Sequence, residues 1–492
     1  MRATRILTTS GHAFAFALTL AGCAAGPDYV RPHDPLPAAY LAADAKAASH
    51  DTAVAVQTAT DGGLPAQWWE LFHSEKLNWL VEDSLKRNPN IDAAQAALVY
   101  AQENVAAQQG FFFPSVTASY APTRQKVAGT LASPASSGAS YLTLHTAQVS
   151  VSYTADVFGA NRRQVESLAA QADAQRFQLE ATYLTLTSNV AAAAIGEAAL
   201  RAQIKATREI IASQEKVMVM VRRQFELGQL ASTDVAAQEA LVAAAEATLP
   251  PLEKQLAQQG DLLKTLAGRF PSDELDAGFE LEQFQLPGEL PLSLPSTLVE
   301  HRPDVLAAEQ QLHAASADIG VAAANRLPNI TLGITGYGSV APTLADLFKS
   351  GTGFWELAGG LTQPVFDGGT LKHRENAARA AYDQAAAQYR ATVLNAFQNV
   401  ADALQAIRSD ATALAAADKA ERAAGKSLAL ARRQVELGDI STLALLGVEQ
   451  NYQQARLNQV QAQANRLADT VALFQALGGG WWNRAAAGQQ TR

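Results

Sequence analysis

The heptapeptide Arg-Arg-Gln-Phe-Glu-Leu-Gly at residues 222–228 recurs at residues 432–438, with Val in place of Phe. Two further pairs of matching segments follow the same order along the chain, namely residues 88–91 with 302–305 and residues 157–158 with 365–366. The spacing between partners changes only across Gly/Ser/Thr-rich stretches, where loops tolerate changes in length. Self-similarity of this kind indicates two related halves that share one structural plan.

Four segments of about 10 residues alternate apolar and polar side chains, which is typical of a strand with one apolar and one polar face. In the clearest of them, Ala147, Val149 and Val151 alternate with Gln148 and Ser150. Each half of the chain contains two such segments. The predicted strands lie at about 114–123, 146–157, 328–337 and 355–366.

The rest of each half is mainly helical. Almost nothing interrupts a helix from residue 160 to 227 or from 371 to 437, and a helix of this length reaches about 100 Å. Gly228 and Gly438 are expected to end these two helices, because glycine readily adopts the left-handed conformation of a helix cap. Shorter helices are predicted at 77–109, 233–266 (interrupted at Pro250-Pro251), 303–325 and 443–477.

Alternating strands fit either a soluble antiparallel sheet or a membrane β-barrel. The barrel is favoured because the strands are long enough for tilted membrane strands and because aromatic residues cluster near their ends. These are Phe111 to Phe113, Phe158 and Phe366 on one side and Tyr120, Tyr337, Phe354 and Trp355 on the other. Since membrane barrels begin at about eight strands, several copies of this chain must share one barrel.

Residues 1–22 have the features of a secretory signal peptide, with Arg2 and Arg5 before a short apolar core and small residues before Cys23. The sequence Leu-Ala-Gly-Cys at this point resembles a lipobox. That resemblance implies diacylglycerol on the Cys23 thiol and a fatty acid such as palmitate on its amino group. The alternative is an ordinary signal peptide with a chance cysteine. As the only cysteine, Cys23 can form no intrachain disulfide.

Composition and motifs argue against two other classes of protein. The formal net charge of −9 disfavours nucleic acid as a partner, because nucleic-acid-binding surfaces are basic. The sequence contains no His-Glu-x-x-His, no phosphate-binding glycine loop and no Cys-x-x-Cys. We therefore expect no enzymatic activity, no metal and no cofactor apart from the covalent lipid on Cys23.

Ordered motifs along nearly all of the mature chain resemble those of TolC-type outer-membrane factors, in the lipidated branch named after NodT. They are Gly26-Pro27-Asp28-Tyr29, Trp68-Trp69, Asp156-Val157-Phe158-Gly159, Arg302-Pro303-Asp304, Pro364 to Gly369 and Ala476 to Trp481. The resemblance implies a mainly α fold with a membrane β-barrel. A long α-helical periplasmic barrel would join a shared 12-stranded barrel to which each chain of a homotrimer gives four strands.

The same resemblance implies a lipid-anchored outer-membrane channel that exports drugs or toxic small molecules. Its partners would be a periplasmic adaptor and an inner-membrane RND-type pump. An exit duct for type I protein secretion is the alternative, since that function uses the same architecture. A periplasmic adaptor lipoprotein is less favoured, because an adaptor would have one helical hairpin and no duplicated strand pairs.

In related channels, the turns corresponding to Gly228 and Gly438 form the periplasmic tips, where the channel closes and the adaptor docks. The candidate contact or gate residues near them are Arg222, Arg223, Asp234, Arg432, Arg433 and Asp439. The second half has Ala444 where the first has Asp234, so a carboxylate gate at the second tip is absent or rebuilt. Asp234 fits a helix-capping role equally well.

These interpretations divide the chain into five parts. They are a signal peptide at 1–22, a lipidated extended segment at 23–66, a first repeat at 67–285, a second repeat at 286–482 and a disordered tail at 483–492.

Overall fold

The computed structural model describes residues 24–32, 40, 64–126, 141–275, 278–286 and 296–484. The predicted signal peptide, Cys23 and the end of the tail lie outside the described residues. The chain forms two compact units. We call residues 1–33, 97–176 and 307–389 the strand unit, and residues 34–96, 177–306 and 390–492 the hairpin unit. Each unit contains pieces of both sequence repeats.

The helices follow the repeated plan. The two long helices, α3 (Ala160–Glu226) and α6 (Thr370–Leu437), begin and end within a residue of the predicted positions. The shorter helices are α1 (Glu75–Arg87), α2 (Pro89–Gln109), α4 (Ser232–Leu266), α5 (Pro303–Ala324) and α7 (Thr442–Ala476). Among the described residues, no helix is both long enough and apolar enough to cross a bilayer.

The prediction of one helix over residues 77–109 was wrong. Asn88, between α1 and α2, has an extended backbone with φ −74° and ψ 120°. Pro89 explains this break, because proline disfavours the helical conformation of the residue before it. The Asn88 side chain stabilises the break by donating from Nδ2 to the carbonyl oxygen of Leu266 at 2.8 Å and accepting from the backbone N–H of Asn90 at 2.9 Å.

The predicted interruption at Pro250-Pro251 was also wrong, since α4 runs through both prolines. Each proline lacks a backbone N–H and so removes one helical hydrogen bond. Gln238 and Leu263, on either side of the prolines, are buried. The helical turns on both sides of the prolines are therefore packed, whereas Pro250 and Pro251 themselves are exposed.

The strands form one antiparallel sheet in the order β1-β2-β3-β4, so the two central strands come from different halves of the repeat. Their bounds are β1 (Ser115–Lys126), β2 (Tyr141–Ala155), β3 (Asn329–Ala341) and β4 (Gly353–Thr362). All four predicted strands are present, but β2 begins before residue 146 and β4 ends before residue 366. Pro364 accounts for the early end of β4, because proline cannot donate to a strand ladder.

The strand register gives the sheet two faces of different chemistry, because directly paired side chains lie on the same face. One row across the four strands is apolar: Val116, Val151, Ile334 and Leu357. The neighbouring row, on the opposite face, is polar: Thr117, Ser150, Thr335 and Glu356. We call these the apolar face and the polar face. Val116 and Leu357 are 68% and 67% exposed.

The hairpin unit has an aromatic core. Trp68 and Phe72 belong to a short 3-10 helix, and both are buried against Phe474 of α7. The Trp68 and Phe474 ring centroids lie 5.4 Å apart, and those of Phe72 and Phe474 lie 6.3 Å apart. Trp69 is buried as well, so both residues of the Trp68-Trp69 motif belong to this core.

Candidate functional site

The residues predicted to form the tips lie on two helical hairpins, α3–α4 and α6–α7. Gly228 and Gly438 close them and have left-handed backbones, with φ of 72° and 79°. In each turn, the N–H after the glycine donates to the carbonyl oxygen five residues earlier, at 2.9 Å in the first hairpin and 2.8 Å in the second. This is the hydrogen bond of a Schellman cap, which confirms the predicted helix ends.

The first arginine of each repeated heptapeptide bridges the two helices of its hairpin. Arg222 binds Glu239 with an N–O distance of 2.9 Å, and Arg432 binds Glu449 with an N–O distance of 3.0 Å. Each glutamate follows its arginine by 17 positions. The sequence duplication therefore includes this ion pair.

The second arginine of each heptapeptide pairs within its own helix. Arg223 binds Glu226 at 3.2 Å, and Arg433 binds Glu436 at 3.0 Å. All four side chains are largely exposed. Exposed pairs of this kind contribute about 0–1 kcal/mol to stability, so these arginines present charge at the surface more than they hold the hairpins together.

The two bridging pairs differ in burial. The Glu239 side chain is 52% exposed, whereas that of Glu449 is 5% exposed. Glu449 also accepts a hydrogen bond from the hydroxyl of Ser213 on α3, at 3.0 Å. The second hairpin is therefore joined to the first through this carboxylate. Sequence reasoning missed Glu449, although the shared 17-residue spacing could have revealed it.

The return helices begin with different caps. In the first hairpin, the Asp234 carboxylate accepts from the backbone N–H of Ala231 at 3.0 Å. In the second, the Ser441 hydroxyl accepts from the backbone N–H of Ala444 at 3.2 Å. Each hairpin therefore has one half of a capping box, and the Asp234 carboxylate acts as a cap in this structure. Asp439 is exposed in the second turn.

Two leucines follow the second turn and pack in different directions. Leu446 packs against Val217 and Val221 of α3. Leu445 packs against Leu428 and Ala431 of α6. The second tip thus has apolar anchoring directly after Ala444, the position where the first tip has Asp234.

A cavity of about 370 Å³ lies beside these contacts in the hairpin unit. Arg432 and Glu449 line it together with Glu209 of α3 and Arg456 of α7, which bind each other at 2.7 Å. Its charged groups therefore occur as ion pairs between helices. Among the described residues, no cluster of His, Cys, Asp or Glu has the arrangement of a metal site.

In the strand unit, Arg163 of α3 holds the segment at residues 24–32. Its guanidinium group binds the Asp28 carboxylate at 2.6 Å and donates to the carbonyl oxygen of Ala25 at 3.2 Å. Glu166 binds the same guanidinium at 2.7 Å, so the buried charge of Arg163 is compensated. Sequence reasoning treated the Gly-Pro-Asp-Tyr motif as a family marker and did not identify Arg163 as its partner.

The same segment crosses α5 where two glycines meet. A Cβ atom on Gly26 would lie 2.4 Å from the Cα of Gly320, so neither backbone leaves room for a side chain. Tyr29 then stacks on His313 with ring centroids 4.3 Å apart. Together with the Arg163 contacts, this close approach fixes the path of the chain that follows Cys23.

A family model described as outer membrane efflux protein matches residues 80–269 and 294–479. The chain is 30% identical over 474 residues to the probable efflux pump outer membrane protein TtgC of Pseudomonas putida, with 96% of each chain covered. It is 28% identical over 480 residues to the outer membrane protein OprJ of Pseudomonas aeruginosa, with 95% of each covered.

Among solved structures, the outer-membrane channel OprN aligns with a TM-score of 0.83 at 26% identity, covering 93% of this chain and 100% of that chain. The open state of the MtrE outer membrane channel of Neisseria gonorrhoeae aligns with a TM-score of 0.79 at 26% identity, covering 93% and 99%. These matches confirm the resemblance that the motifs indicated. The family model matches once in each half of the repeat, and the chain belongs to the outer membrane efflux protein family.

Proposed function

We propose that this protein is the outer-membrane channel of a tripartite efflux system and passively exports drugs or other toxic small molecules. The exposed apolar face of the sheet carries this proposal. Its side chains, including Val116 and Leu357, would cost about 25 cal/mol per Å² in water, and lipid removes that cost. The polar face, with Glu356 and its neighbours, then lines an aqueous passage, as in membrane barrels with a wet interior.

The open edges of the sheet support a shared barrel. Within the described strands, the outer edges of β1 and β4 have no strand partner. Unpaired backbone groups are not tolerated in the hydrocarbon core of a bilayer. Pairing β1 of one copy with β4 of the next satisfies both edges, and three copies complete a 12-stranded barrel in a homotrimer.

The names of the relatives favour small molecules as cargo. They include a toluene efflux pump outer membrane protein, an antibiotic efflux pump outer membrane protein and a pyoverdine export outer membrane protein, all from Pseudomonas putida. This supports efflux over the alternative of type I protein secretion. The four strands and the two repeated hairpins also disfavour a periplasmic adaptor.

The hairpin tips are proposed to close the channel and to meet a periplasmic adaptor, which in turn binds an inner-membrane RND-type pump. Arg223, Arg433 and Asp439 are exposed there and available for such contacts. Asp234 is the weaker gate candidate, because its carboxylate is engaged as a helix cap.

Lipidation of Cys23 is proposed as the membrane anchor. Ala24 lies against Gly159, close after the end of β2, so the lipidated residue would emerge near this end of the strands. A single acyl chain binds membranes weakly, whereas two or more hold a protein stably. The acyl chains would then tether each copy before the barrel closes.

The mass of the detergent-extracted protein and its conductance in a planar bilayer test these proposals together. We expect a lipidated trimer that forms a conducting pore. The Cys23→Ser variant should lose the mass of the acyl groups but still form the pore. A stable monomer that does not conduct would overturn the shared channel, because four strands cannot close a barrel.

A further inference from the structure

The segment between β3 and β4, residues 342–352, folds back onto the apolar face. It contains a short 3-10 helix, Leu344–Phe348, which lies against β2 and β3. Ser339 and Ala341 of β3 are on the apolar face, since they pair with Ala147 and His145 of β2. They are 3% and 1% exposed, although most of that face is open.

Specific contacts fix this arrangement. Leu347 is buried, and its carbonyl oxygen accepts from the hydroxyl of Ser339 and from that of Thr352, the latter at 3.1 Å. The Thr352 hydroxyl is also 2.9 Å from that of Ser339. The short helix is therefore anchored by its Leu347 side chain and by the two hydroxyl groups that donate to the Leu347 carbonyl oxygen.

The anchored helix leaves two large apolar side chains exposed. Phe348 is 91% exposed and Leu344 is 56% exposed. Tyr337 and Trp355 lie on the same face of the sheet and are also exposed. The outer surface of the segment thus continues the apolar face towards the ends of β1 and β2 at Lys126 and Tyr141.

The order of side chains along β1 places this segment at a membrane boundary. On the apolar face, Val116 is followed by Tyr120 and then by Arg124 and Lys126. Aromatic residues prefer the interface of a bilayer, and long cationic side chains reach from there towards headgroups. Ala147 of β2 pairs with Tyr120 on one side and with Ser339 on the other. The short helix packed on Ser339 therefore lies level with Tyr120, short of Arg124 and Lys126 along the strand.

We propose that residues 342–352 form a membrane-inserted lip, in which Phe348 and Leu344 enter the outer leaflet beside the barrel. Lipid is the occupant, because the lip continues a lipid-facing surface and its apolar groups lie next to aromatic and cationic residues. Lys349 pairs with Asp346 at 2.5 Å, so the two charges next to Phe348 compensate each other. The inference rests on the proposed function, which makes the apolar face lipid-facing.

Spin labelling of the full-length trimer in phosphatidylcholine and phosphatidylglycerol vesicles tests the lip. A nitroxide is attached to cysteine in the separate variants Phe348→Cys, Leu357→Cys, Thr117→Cys and Asp439→Cys. Collision with oxygen, which concentrates in lipid, is compared with collision with a water-soluble nickel chelate. Trimer content by native mass is checked for each variant.

We expect Leu357 to be the deepest site in lipid, Phe348 to be in lipid but shallower, and Thr117 and Asp439 to be accessible to the nickel chelate. If the nitroxide at position 357 is in lipid but the one at position 348 collides with the nickel chelate as often as the one at position 439, the lip proposal is wrong and the proposed channel is unaffected. If Phe348 collides with neither probe, it is buried against protein, which also overturns the lip. If Leu357 itself is in water, the proposed function fails.

Discussion

The α3–α4 and α6–α7 hairpins share a repeated sequence and a turn geometry, yet they differ in how they are held. Arg222–Glu239 is an exposed bridge, whereas Arg432–Glu449 has a buried carboxylate that also binds Ser213 of the other hairpin. Leu446 inserts against α3, while the equivalent position of the first hairpin is Ala236. The duplicated sequence thus gives both hairpins the same fold, whereas the buried residues Glu449 and Leu446 make the second hairpin depend on contacts with the first.

The largest expected effect comes from removing the apolar anchor. Leu446→Ala should destabilise the second tip by about 2–4 kcal/mol, because it leaves a cavity against Val217 and Val221. Hydrogen exchange measured by mass spectrometry should show amides near both residues 217–221 and 446 exchanging at least about 30-fold faster. Leu437→Ala, at an exposed leucine, is the matched control. Equal effects of the two variants would contradict the asymmetry.

The next prediction compares how much each of the two bridging ion pairs contributes to stability. Arg432→Ala leaves the buried Glu449 carboxylate without its cation and should cost about 2 kcal/mol, less than a fully buried pair because Arg432 is itself half exposed. Arg222→Ala should cost at most about 0.5 kcal/mol. The midpoint of heat-induced loss of helical signal would measure the difference, and Arg432→Lys should recover part of it. Similar costs for the two alanine variants would show that the burial of Glu449 is unimportant.

A third test concerns an acid pair that only the second hairpin contains. Asp410 and Asp469 stand where the first half has Leu200 and Gln259. Burial, followed by the hydrogen bond and repulsion from Asp469, raises the pKa of Asp410 to about 6. The unfolded chain binds this proton less tightly, with an Asp pKa of about 3.9. The Asp410–Asp469 pair therefore destabilises the folded state least below about pH 4. The free energy of unfolding falls as the pH rises from there towards and through about 6.

Asp410→Asn should remove this dependence. The variant should unfold at a higher temperature than the parent at pH 7.5 and at a similar temperature near pH 4. Asp402→Asn, at an exposed aspartate of the same helix, is the control. A wild-type stability that does not change between pH 4 and pH 7 would refute the prediction.

The smallest effects concern the helix caps. Asp234→Ala and Ser441→Ala should each cost about 1 kcal/mol, because each leaves one backbone N–H without its side-chain acceptor. Conversely, Ala231→Ser and Ala444→Glu should complete the two capping boxes and add a few tenths to about 1 kcal/mol each. Exchange rates in the first turns of α4 and α7 would report these changes. If a cap variant in one hairpin made the amides of the other hairpin exchange faster, the two caps would not be independent.

The sequence was informative wherever structure follows from local pattern. The long helices, the glycine turns and the two faces of the sheet could be read from breakers and from alternation. It was less informative where distant segments decide the outcome. Proline argued for a break in α4, yet the helix continues through both prolines, whereas Pro89 does break the helix at Asn88, whose side chain then contacts the distant Leu266.

The candidate site shows the same limit. The repeated heptapeptide revealed both arginines of each tip, because they are identical in sequence. The burial of Glu449 and the pairing of Asp410 with Asp469 could not be predicted, since both depend on how α7 packs against other helices. Arg163 was missed for a similar reason, because its partner Asp28 lies far away in sequence.

The crossing of Gly26 and Gly320 has a consequence for the order of events during folding. The two residues are about 300 positions apart, and closing a loop of this length costs about 5 kcal/mol of chain entropy. The segment after Cys23 can contact Arg163 of the first half early, but the part of its binding surface that includes Gly320 and His313 forms only when α5 has been synthesised, exported and packed. Complete docking of residues 24–32 is therefore a late step, and it marks a copy whose two halves have already come together.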